Sequence, residues 1–476
     1  PRIFVRESGT PGKTHWFFRW RKVNCPAFVQ AGEQSDPCRN GVADRIPPIA
    51  HAPDNPLHAR GASGTKRTEV LYRNRKKNSQ EEKAGMRVLT IGLGGAGSHI
   101  TDKLLEHDRL SEVHCVEGVA VDCDAEELAS LTMVPANRRL FFSPLDPLHP
   151  DDIAAHVPRE EILTQLQAMD DGDIDALFLC CGLGGIMASV VPDLVSFLKK
   201  SLVEPVFGIC TLPRKSEGDI CLARAADQLG PLLEVLDGVI VFDSEAWREK
   251  ISVVVVPEPA KDADAIAGRL LEKIRPEIPK KQIDPFHESM DTLIARRMTL
   301  LLRAGEYSLR EAEDIPEVVL DAGEILNTIQ GMGLVTVGYA REELPPARPL
   351  DHVLRSSPHT RSVNEHHVKA SRIVELAKRA AYQEISADTD LARVQKALVL
   401  IAGPSHEMSM KGFLTVRRWL DRSIQGLELR SGDYPVKKTR YLGILVIFAG
   451  MDTLPCIEEL RRAKERSLER DDAAPV

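Results

Sequence analysis

The chain has 476 residues with 62 basic and 70 acidic side chains, which gives a formal net charge of −8. This balance argues against a nucleic-acid-binding platform, because binding phosphate backbones needs a basic face. The nine cysteines include no Cys-x-x-Cys pair, so we predict free thiols in a cytoplasmic protein and no metal site made of protein ligands alone. The apolar run at 441–451 is shorter than the roughly 18 residues that cross a bilayer, so no transmembrane segment is expected.

The charge is divided unevenly along the chain. Residues 1–85 carry 16 basic and 8 acidic side chains, whereas residues 86–476 carry 46 and 62. The first segment is rich in turn-forming residues and has no periodic apolar pattern, so we expect it to be disordered. Three interpretations of it stay open: a solvated tail, a basic tail that binds membrane lipid or nucleic acid, and upstream sequence translated because the start was assigned before Met86.

From Met86 onward, short apolar runs of strand length alternate with helical patterns. Strands this apolar are buried on both faces and need helical crossovers, so the sequence predicts a doubly wound α/β sheet. Ligands of such sheets bind at the carboxyl ends of the strands. We predict the strands at 88–91, 118–122, 176–181, 206–211 and 239–242.

A long helical pattern over 286–306, with apolar residues spaced three and four apart, precedes a smaller α+β region. In that region we predict helices at 369–383, at 410–424 and from 455, strands at 397–402 and 441–449, and a loop over 341–364. The predicted organisation is a disordered segment (1–85), an α/β domain (86–285), a central helix (286–310) and a C-terminal α+β domain (311–476).

A glycine motif connects the first strand to the first helix. Residues 92–97 are Gly-Leu-Gly-Gly-Ala-Gly, a pattern that lets backbone N–H groups approach phosphate at a helix N-terminus. Taken alone, the motif also fits a tight turn without a ligand. It fits a nicotinamide-dependent oxidoreductase as well, because Asp122 follows Gly97 by 25 residues.

A second glycine cluster, Gly-Leu-Gly-Gly at 182–185, also lies between a strand and a helix. A nicotinamide fold does not need a second loop of this kind. Two glycine loops that face one crevice suit a nucleoside triphosphate held from two sides. The alternative is a sterically tight join between strand and helix.

Several motifs together resemble the FtsZ/tubulin superfamily, and the resemblance covers nearly all of residues 86–465. The first loop of the family is similar to Gly-x-Gly-Gly-Ala-Gly-x-Asn, and residues 92–99 are Gly-Leu-Gly-Gly-Ala-Gly-Ser-His. The next loop, Asn-Thr-Asp-Ala-x-x-Leu, corresponds to Asp-Cys-Asp-Ala-Glu-Glu-Leu at 122–128. The Glu-Gly of the family corresponds to Glu217-Gly218. The resemblance implies a divergent prokaryotic and, more narrowly, archaeal protein.

The sequence departs from the family in the second glycine loop and around the base. The tubulin signature Gly-Gly-Gly-Thr-Gly-Thr-Gly is replaced by Gly-Gly-Ile-Met-Ala-Ser at 184–189, which adds bulk where phosphate oxygens approach the backbone. The Arg expected shortly after Glu-Gly is missing, and Arg224 stands a turn later. Asp243 replaces the base-reading Asn; an ionised Asp only accepts hydrogen bonds, which still suits the N–H groups of guanine.

The resemblance implies a bound GTP or GDP, with Mg²⁺ on the phosphates. The residues that it places at the nucleotide are Gly92, Gly94, Gly95, Ala96, Gly97, Ser98, Asp122, Asp124, Gly182, Gly184, Gly185, Ser189, Glu217, Asp243 and Asp291.

The resemblance also implies a catalytic loop at 319–325. In the family this loop reaches the nucleotide of the neighbouring subunit, and its carboxylates position or activate the attacking water. Asp321 and Glu324 occupy the corresponding positions here, and Glu in place of Asp keeps the charge. A solvated acidic loop is the alternative.

The function implied is a filament-forming GTP-binding protein that associates head to tail with itself and hydrolyses GTP weakly at the subunit interface. A membrane-associated adaptor is a further conceivable partner. Two alternatives stay open: a structural or adaptor relative with a vestigial pocket, favoured by Ile186 and Met187, and the nicotinamide-dependent oxidoreductase.

Overall fold

The computed structural model describes residues 82–83, 86–110, 114–146, 149–254, 284–303, 307–308, 318, 320–344, 358–426, 428–436 and 439–473. All of them belong to the unit formed by Thr65–Val476. The basic segment 1–85, for which the sequence predicts disorder, lies outside the described residues except for Glu82–Lys83, which pair with Tyr307–Ser308 as two-residue antiparallel strands.

The first half alternates strands and helices, and all five predicted strands form close to their predicted bounds. The short strand β3 was not predicted. The elements in chain order are β1 (Val88–Leu93), α1 (Gly94–Leu110), β2 (Val116–Asp122), α2 (Ala125–Ser130), β3 (Arg139–Phe141), α3 (Pro150–His156), α4 (Arg159–Met169), β4 (Ala176–Gly182), α5 (Val191–Leu198), β5 (Val206–Leu212), α6 (Asp219–Val235), β6 (Gly238–Asp243) and α7 (Ser244–Val254).

The second half begins with the long central helix. The loop predicted over 341–364 was wrong at both ends, because one strand extends to Glu343 and a helix already begins at Pro358; proline is favoured in a first helical turn. The elements are α8 (Pro285–Arg303), α9 (Ala322–Ile329), β7 (Leu334–Glu343), α10 (Pro358–Tyr382), β8 (Lys396–Gly403), α11 (Met410–Ser423), β9 (Glu428–Pro435), β10 (Tyr441–Met451) and α12 (Pro455–Ala473).

One ten-stranded sheet runs through both halves in the order β9-β8-β10-β7-β6-β5-β4-β1-β2-β3. The strands from β7 to β3 are parallel, whereas β10 is antiparallel to both β7 and β8. The halves are joined by β6 and β7, through the pairs Val239–Leu334 and Ile240–Val335. The predicted α/β class is confirmed, and the domain boundaries stay a prediction.

The chain changes direction in the sheet at β1. It continues from β1 to β2 on one side, and later returns to place β4 on the other side of β1. A reversal of this kind opens a crevice at the carboxyl ends of the two flanking strands, where ligands of α/β sheets bind. Here β1 and β4 end in the two glycine loops.

Apolar layers cover both faces of the sheet. One contains residues of α4, α5, α6, α10, α11 and α12, and the other contains residues of α1, α7, α8 and α9. Helix α8 contributes a stripe to the second layer through Met290, Ile294, Met298 and Leu301, the spacing of one helical face.

A buried tryptophan connects three elements of this second layer. Trp247 of α7 is 5% exposed, and its Nε1–H donates to the carbonyl of Ile385, which follows α10. The guanidinium of Arg297 on α8 and the ammonium of Lys250 each lie 4.7 Å from the indole ring. Burial lowers the pKa of Arg297 to about 9, and its Nη2 donates to the carbonyl of Glu384.

Candidate functional site

The two glycine loops pack directly against each other at the crevice. Helix α1 begins at Gly94, immediately after β1, and crosses so close to β4 that a Cβ on Gly97 would lie 2.0 Å from the carbonyl oxygen of Cys180. A Cβ on Gly182 would lie 3.0 Å from the Cβ of Ala96. The first N–H groups of a helix have no partner within it, so the exposed turn at Ala96 is a place where an anion can be held.

Bulky side chains narrow the crevice from the second loop. Residues Ile186–Val190 form a turn of 3₁₀ helix, which places the Met187 side chain 3.1 Å from where a Cβ of Gly94 would lie. Gly94 has φ +68°, a conformation that favours glycine. The bulk expected from the altered tubulin signature therefore lies against the first glycine loop.

Two buried polar atoms at this edge of the sheet have no hydrogen-bond partner among the described residues. They are the Oδ2 atom of Asp122, at the end of β2, and the Oγ atom of Ser98, near the start of α1. The other carboxylate oxygen of Asp122 accepts from the N–H of Asp124, and burial raises the pKa of the Asp122 carboxyl. Unpaired buried polar atoms are costly and rare, so they mark places where a ligand can supply the partner.

Acidic residues of α2 border the first glycine loop. Asp124 caps this helix by accepting from the N–H groups of Glu126 and Glu127. The Glu127 carboxyl carbon would lie 3.3 Å from a Cβ on Gly95, and its Oε2 lies 3.0 Å from Nε2 of His99. Neither His99 nor Glu127 was predicted as a site residue, although His99 stands where the family motif has Asn.

The second glycine loop is bonded to helix α6. The side-chain oxygen of Gln228 accepts from the N–H of Gly184 at 2.8 Å, and its Nε2 donates to the carbonyl of Gly185 and to Ser189 Oγ. Arg224 donates to the carbonyl of Gly184. The N–H of Gly184 is therefore already hydrogen-bonded within the protein, and it is not free to bind a phosphate oxygen. Gln228 is a polar residue in the otherwise apolar buried stripe of α6. This feature of the sequence could have indicated its role, but Gln228 was not predicted as a site residue.

Replacing Gln228 by Leu is expected to lower the free energy of unfolding by about 1–3 kcal/mol, because Gly184 loses a buried partner. Urea titration followed by circular dichroism measures this change. Gln167→Leu is the matched control, since Gln167 is exposed on α4. Equal unfolding midpoints for the two variants would mean that Gln228 does not hold the loop.

Glu217 precedes α6 beside the second glycine loop. Its Oε1 accepts from the N–H of Arg214 at 2.9 Å, and its Oε2 lies 3.8 Å from Cys221 Sγ. A Cβ on Gly184 would lie 2.5 Å from the same sulfur. The structure therefore places Glu217 close to the crevice.

Asp243 caps helix α7 at the end of β6. Its Oδ1 accepts from the N–H groups of Glu245 and Ala246, and burial raises its pKa. It also lines a cleft of about 550 Å³, whose other walls include Asp388 and Cys456 at the start of α12. The Asp243 carboxylate is therefore hydrogen-bonded to backbone N–H groups of α7. It lies at the end of β6 and lines a cleft that α12 also borders.

Asp291 is buried where α8 packs against α1. Its side chain is surrounded largely by protein, and burial raises its pKa to about 8, against an attraction from Lys103 that lowers it. Glu288, one turn earlier on α8, repels the ionised form. A carboxyl group in this state is held mostly protonated at neutral pH until a ligand favours its charge.

The predicted catalytic pair lies elsewhere in the chain. Asp321 caps α9 by accepting from the N–H of Glu324 at 2.7 Å, and Glu324 Oε1 lies 3.8 Å from Arg430 Nη1 of β9. Helix α9 packs on β8 and β10. Among the described residues, no hydrogen bond or ion pair joins Asp321 or Glu324 to either glycine loop of the same chain.

Within the described part of the chain, no cluster of three or more His, Cys, Asp or Glu side chains could hold a metal ion. None of the described helices is long and apolar enough to cross a membrane.

A parallel sheet with two glycine loops at its reversal point, followed by a central helix and an antiparallel extension, is an α/β arrangement of tubulin type. The family model of the tubulin-like CetZ C-terminal domain matches residues 281–465. The tubulin-like proteins CetZ3 and CetZ1 of Haloferax volcanii are 29% and 26% identical over 388 and 392 residues, and each alignment covers 79% of this chain and 91% of the relative.

Solved structures share the fold. CetZ1 of Haloferax volcanii, a GDP-bound monomer, superposes with a TM-score of 0.62 and 23% identity over 80% of this chain and 100% of that chain. CetZ2 of the same organism, a GTPγS-bound protofilament, gives a TM-score of 0.59 and 21% identity over 81% and 100%. The match to the CetZ model, the similar archaeal proteins and the shared fold support the prediction from the motifs that the chain is a divergent relative of the FtsZ/tubulin superfamily.

Proposed function

We propose that this protein binds GTP at the crevice between β1 and β4, assembles head to tail into filaments, and hydrolyses GTP slowly where two subunits meet. The contact of the two glycine loops at the N-terminus of α1 is the observation that supports this most directly. GDP and GTPγS in the CetZ1 and CetZ2 structures support a guanine nucleotide, and the CetZ2 protofilament supports self-assembly.

The residues of the crevice fit a nucleotide. The unpaired Oγ of Ser98 and Oδ2 of Asp122 offer partners to phosphate or ribose groups, directly or through water. Asp291 can accept from the N–H groups of guanine once it is ionised. Mg²⁺ entering with the phosphates would neutralise their charge. Asp124 and Glu127 border the same loop, and a cation bound with the phosphates would offset their repulsion of the phosphates.

Hydrolysis requires a second subunit in this proposal. Among the described residues, no hydrogen bond or ion pair joins Asp321 or Glu324 to the glycine loops of their own chain, so in this proposal they would act on the nucleotide of a neighbour. Their role is to orient the attacking water and accept its proton. We expect slow turnover because the N–H of Gly184 already donates to Gln228, which leaves one donor fewer to stabilise the transferring phosphoryl group. The Met187 side chain, which lies beside Gly94, adds bulk next to the first glycine loop.

Calorimetric titration with GTP and Mg²⁺ tests nucleotide binding, and GTP-dependent sedimentation tests assembly. Heat of binding together with pelleting in GTP is the expected result. The same two features of the second loop, Gln228 on Gly184 and Met187 on Gly94, favour the alternative of a structural relative with a vestigial pocket. That alternative predicts no heat, and it predicts assembly that is indifferent to GTP. Retention of NAD in place of GDP on purification would favour an oxidoreductase.

Replacing Asp321 by Asn is expected to lower GTP turnover per assembled subunit about 100-fold, the size of effect typical of a lost general base. Asn still caps a helix well, so folding, GTP binding and assembly should be retained. Phosphate release measured on pelleted filaments gives the turnover. Asp390→Ala is the control, since Asp390 caps another short helix at an exposed site. Turnover of the Asn variant equal to wild type would refute the role of Asp321.

A further inference from the structure

The side chain of Arg214 connects the loop before α6 to the start of the central helix. Its Nε lies 3.4 Å from Oε1 of Glu217, and its Nη2 lies 3.6 Å from Oδ2 of Asp284. Its guanidinium carbon lies 4.7 Å from the centre of the Phe286 ring. The side chain is 19% exposed. The guanidinium thus lies over an aromatic ring and close to two carboxylates.

The position of this guanidinium is defined by the elements that it joins. Glu217 lies beside the second glycine loop, and Phe286 lies on α8 before Asp291, on the helix that would read the base. Arg214 therefore lies between the two protein regions that would contact the nucleoside. Both ion pairs of Arg214 are long and partly exposed, so each contributes little to stability. Arg214 could therefore give up one carboxylate partner and bind an oxygen of a ligand at a small cost in free energy.

The other cations that the structure describes in this loop and in the first turns of α6 have partners away from Phe286. Ile220 and Cys221 follow Glu-Gly, Arg224 donates to the carbonyl of Gly184, and Lys215 pairs at 2.7 Å with Glu459 of α12. The sequence therefore lacks a cation where its family has one, and the structure offers another from the preceding loop.

We propose that Arg214 is a nucleotide-binding residue, whose guanidinium donates to a phosphate or ribose oxygen of the bound nucleotide while it stays over the Phe286 ring. The inference rests on the proposed GTP binding and adds to it the cation that the α6 position no longer supplies. Phe286 acts as a positioning residue, since the attraction between cation and ring restricts where the N–H donors can lie. A lysine at 214 would lack both the plane and the paired donors.

Calorimetric titration of GTP and guanosine into the wild-type protein and variants tests this assignment. Arg214→Ala and Arg214→Gln are expected to weaken GTP binding about 10- to 100-fold, the loss of a charge-assisted hydrogen bond. Arg214→Lys should recover only part of that loss, and Phe286→Leu should give an intermediate one. Guanosine affinity falling less than GTP affinity indicates a phosphate contact, whereas equal losses indicate the ribose.

Lys215→Ala is the control, because Lys215 is the neighbouring cation and its side chain is 60% exposed; its GTP affinity should equal that of wild type. Urea unfolding without nucleotide shows whether each Arg214 variant is folded. Wild-type protein that does not bind GTP would overturn the proposed function itself. Wild-type protein that binds GTP, with folded Arg214 variants that bind it as tightly as Lys215→Ala, would overturn only the assignment of Arg214.

Discussion

Replacing Gly97 by Ala is expected to lower the free energy of unfolding by about 3 kcal/mol or more, because the added methyl group overpacks a rigid site. A Cβ there would lie 2.0 Å from the carbonyl oxygen of Cys180 and 2.8 Å from its carbonyl carbon. Both atoms belong to β4, a central strand paired on each side with β1 and β5. Neither that strand nor α1 can move without breaking sheet hydrogen bonds or opening the apolar layer beneath the helix.

Gly95→Ala is the matched control for this experiment. Gly95 lies in the same first turn of α1, but the nearest atom to its Cβ would be the end of the flexible Glu127 side chain at 3.3 Å. We expect its unfolding midpoint in urea, without nucleotide, to stay close to wild type, since Ala is also the better helix former. Equal midpoints for the Gly95 and Gly97 variants would mean that α1 does not approach β4 this closely.

GTP binding is expected to weaken by up to about tenfold for each pH unit between pH 8 and pH 6, the limit for release of one proton on binding. Burial raises the pKa of Asp291 from its ordinary value of 3.8 to about 8, so the free protein holds this carboxyl protonated at pH 6. Guanine N–H groups require a charged acceptor there for the strongest bonds. GTP binding would therefore release the proton from Asp291, and a lower pH would weaken binding.

Calorimetric titrations at pH 6, 7 and 8 measure this slope, and Asp291→Asn should bind GTP more weakly at pH 8 with a flat profile. Without nucleotide, the free energy of unfolding should change with pH in the direction opposite to GTP affinity. The folded state retains a proton on Asp291 that the unfolded state loses above its ordinary pKa, so the free energy of unfolding should fall between about pH 4 and pH 8. The Asn variant should lack that part of the decline. GTP affinity that is the same at pH 6 and pH 8 would exclude an ionised Asp291 at the base.

Strands buried on both faces were the part of the fold that sequence could predict. Runs such as 176–181 are apolar throughout, and in β4 every residue from Ala176 to Cys181 is buried. Strand β9 was not predicted because most of its residues are only partly buried and it pairs on one side alone, with β8. The prediction of a loop at the charged end of β7 was wrong because the partner of that end, the first residues of β10, is far away in sequence.

In the candidate site, too, sequence could predict features that are local in the chain, but not contacts between distant residues. The glycine loops could be located because their chemistry is local, but their contact through Gly97 and Cys180 depends on the order of strands in the sheet. Gln228 bonds to Gly184 across 44 residues, and no local pattern indicates that partner. Arg214 and Phe286 likewise meet only because β5 and α8 converge at one edge. The placement of Asp321 and Glu324 at a neighbour's nucleotide stays a prediction.

The setting of Trp247 gives the protein an optical reporter of its own. Indole emission responds to nearby charge, and this ring has a cation from α8 on one side, a cation from α7 close by, and an N–H bonded to the chain after α10. Movement of the central helix relative to α7 changes the contact between Arg297 and Trp247. With Trp16, Trp20 and Trp419 replaced by Phe, the emission wavelength and lifetime of Trp247 alone would report such a movement, without an attached dye.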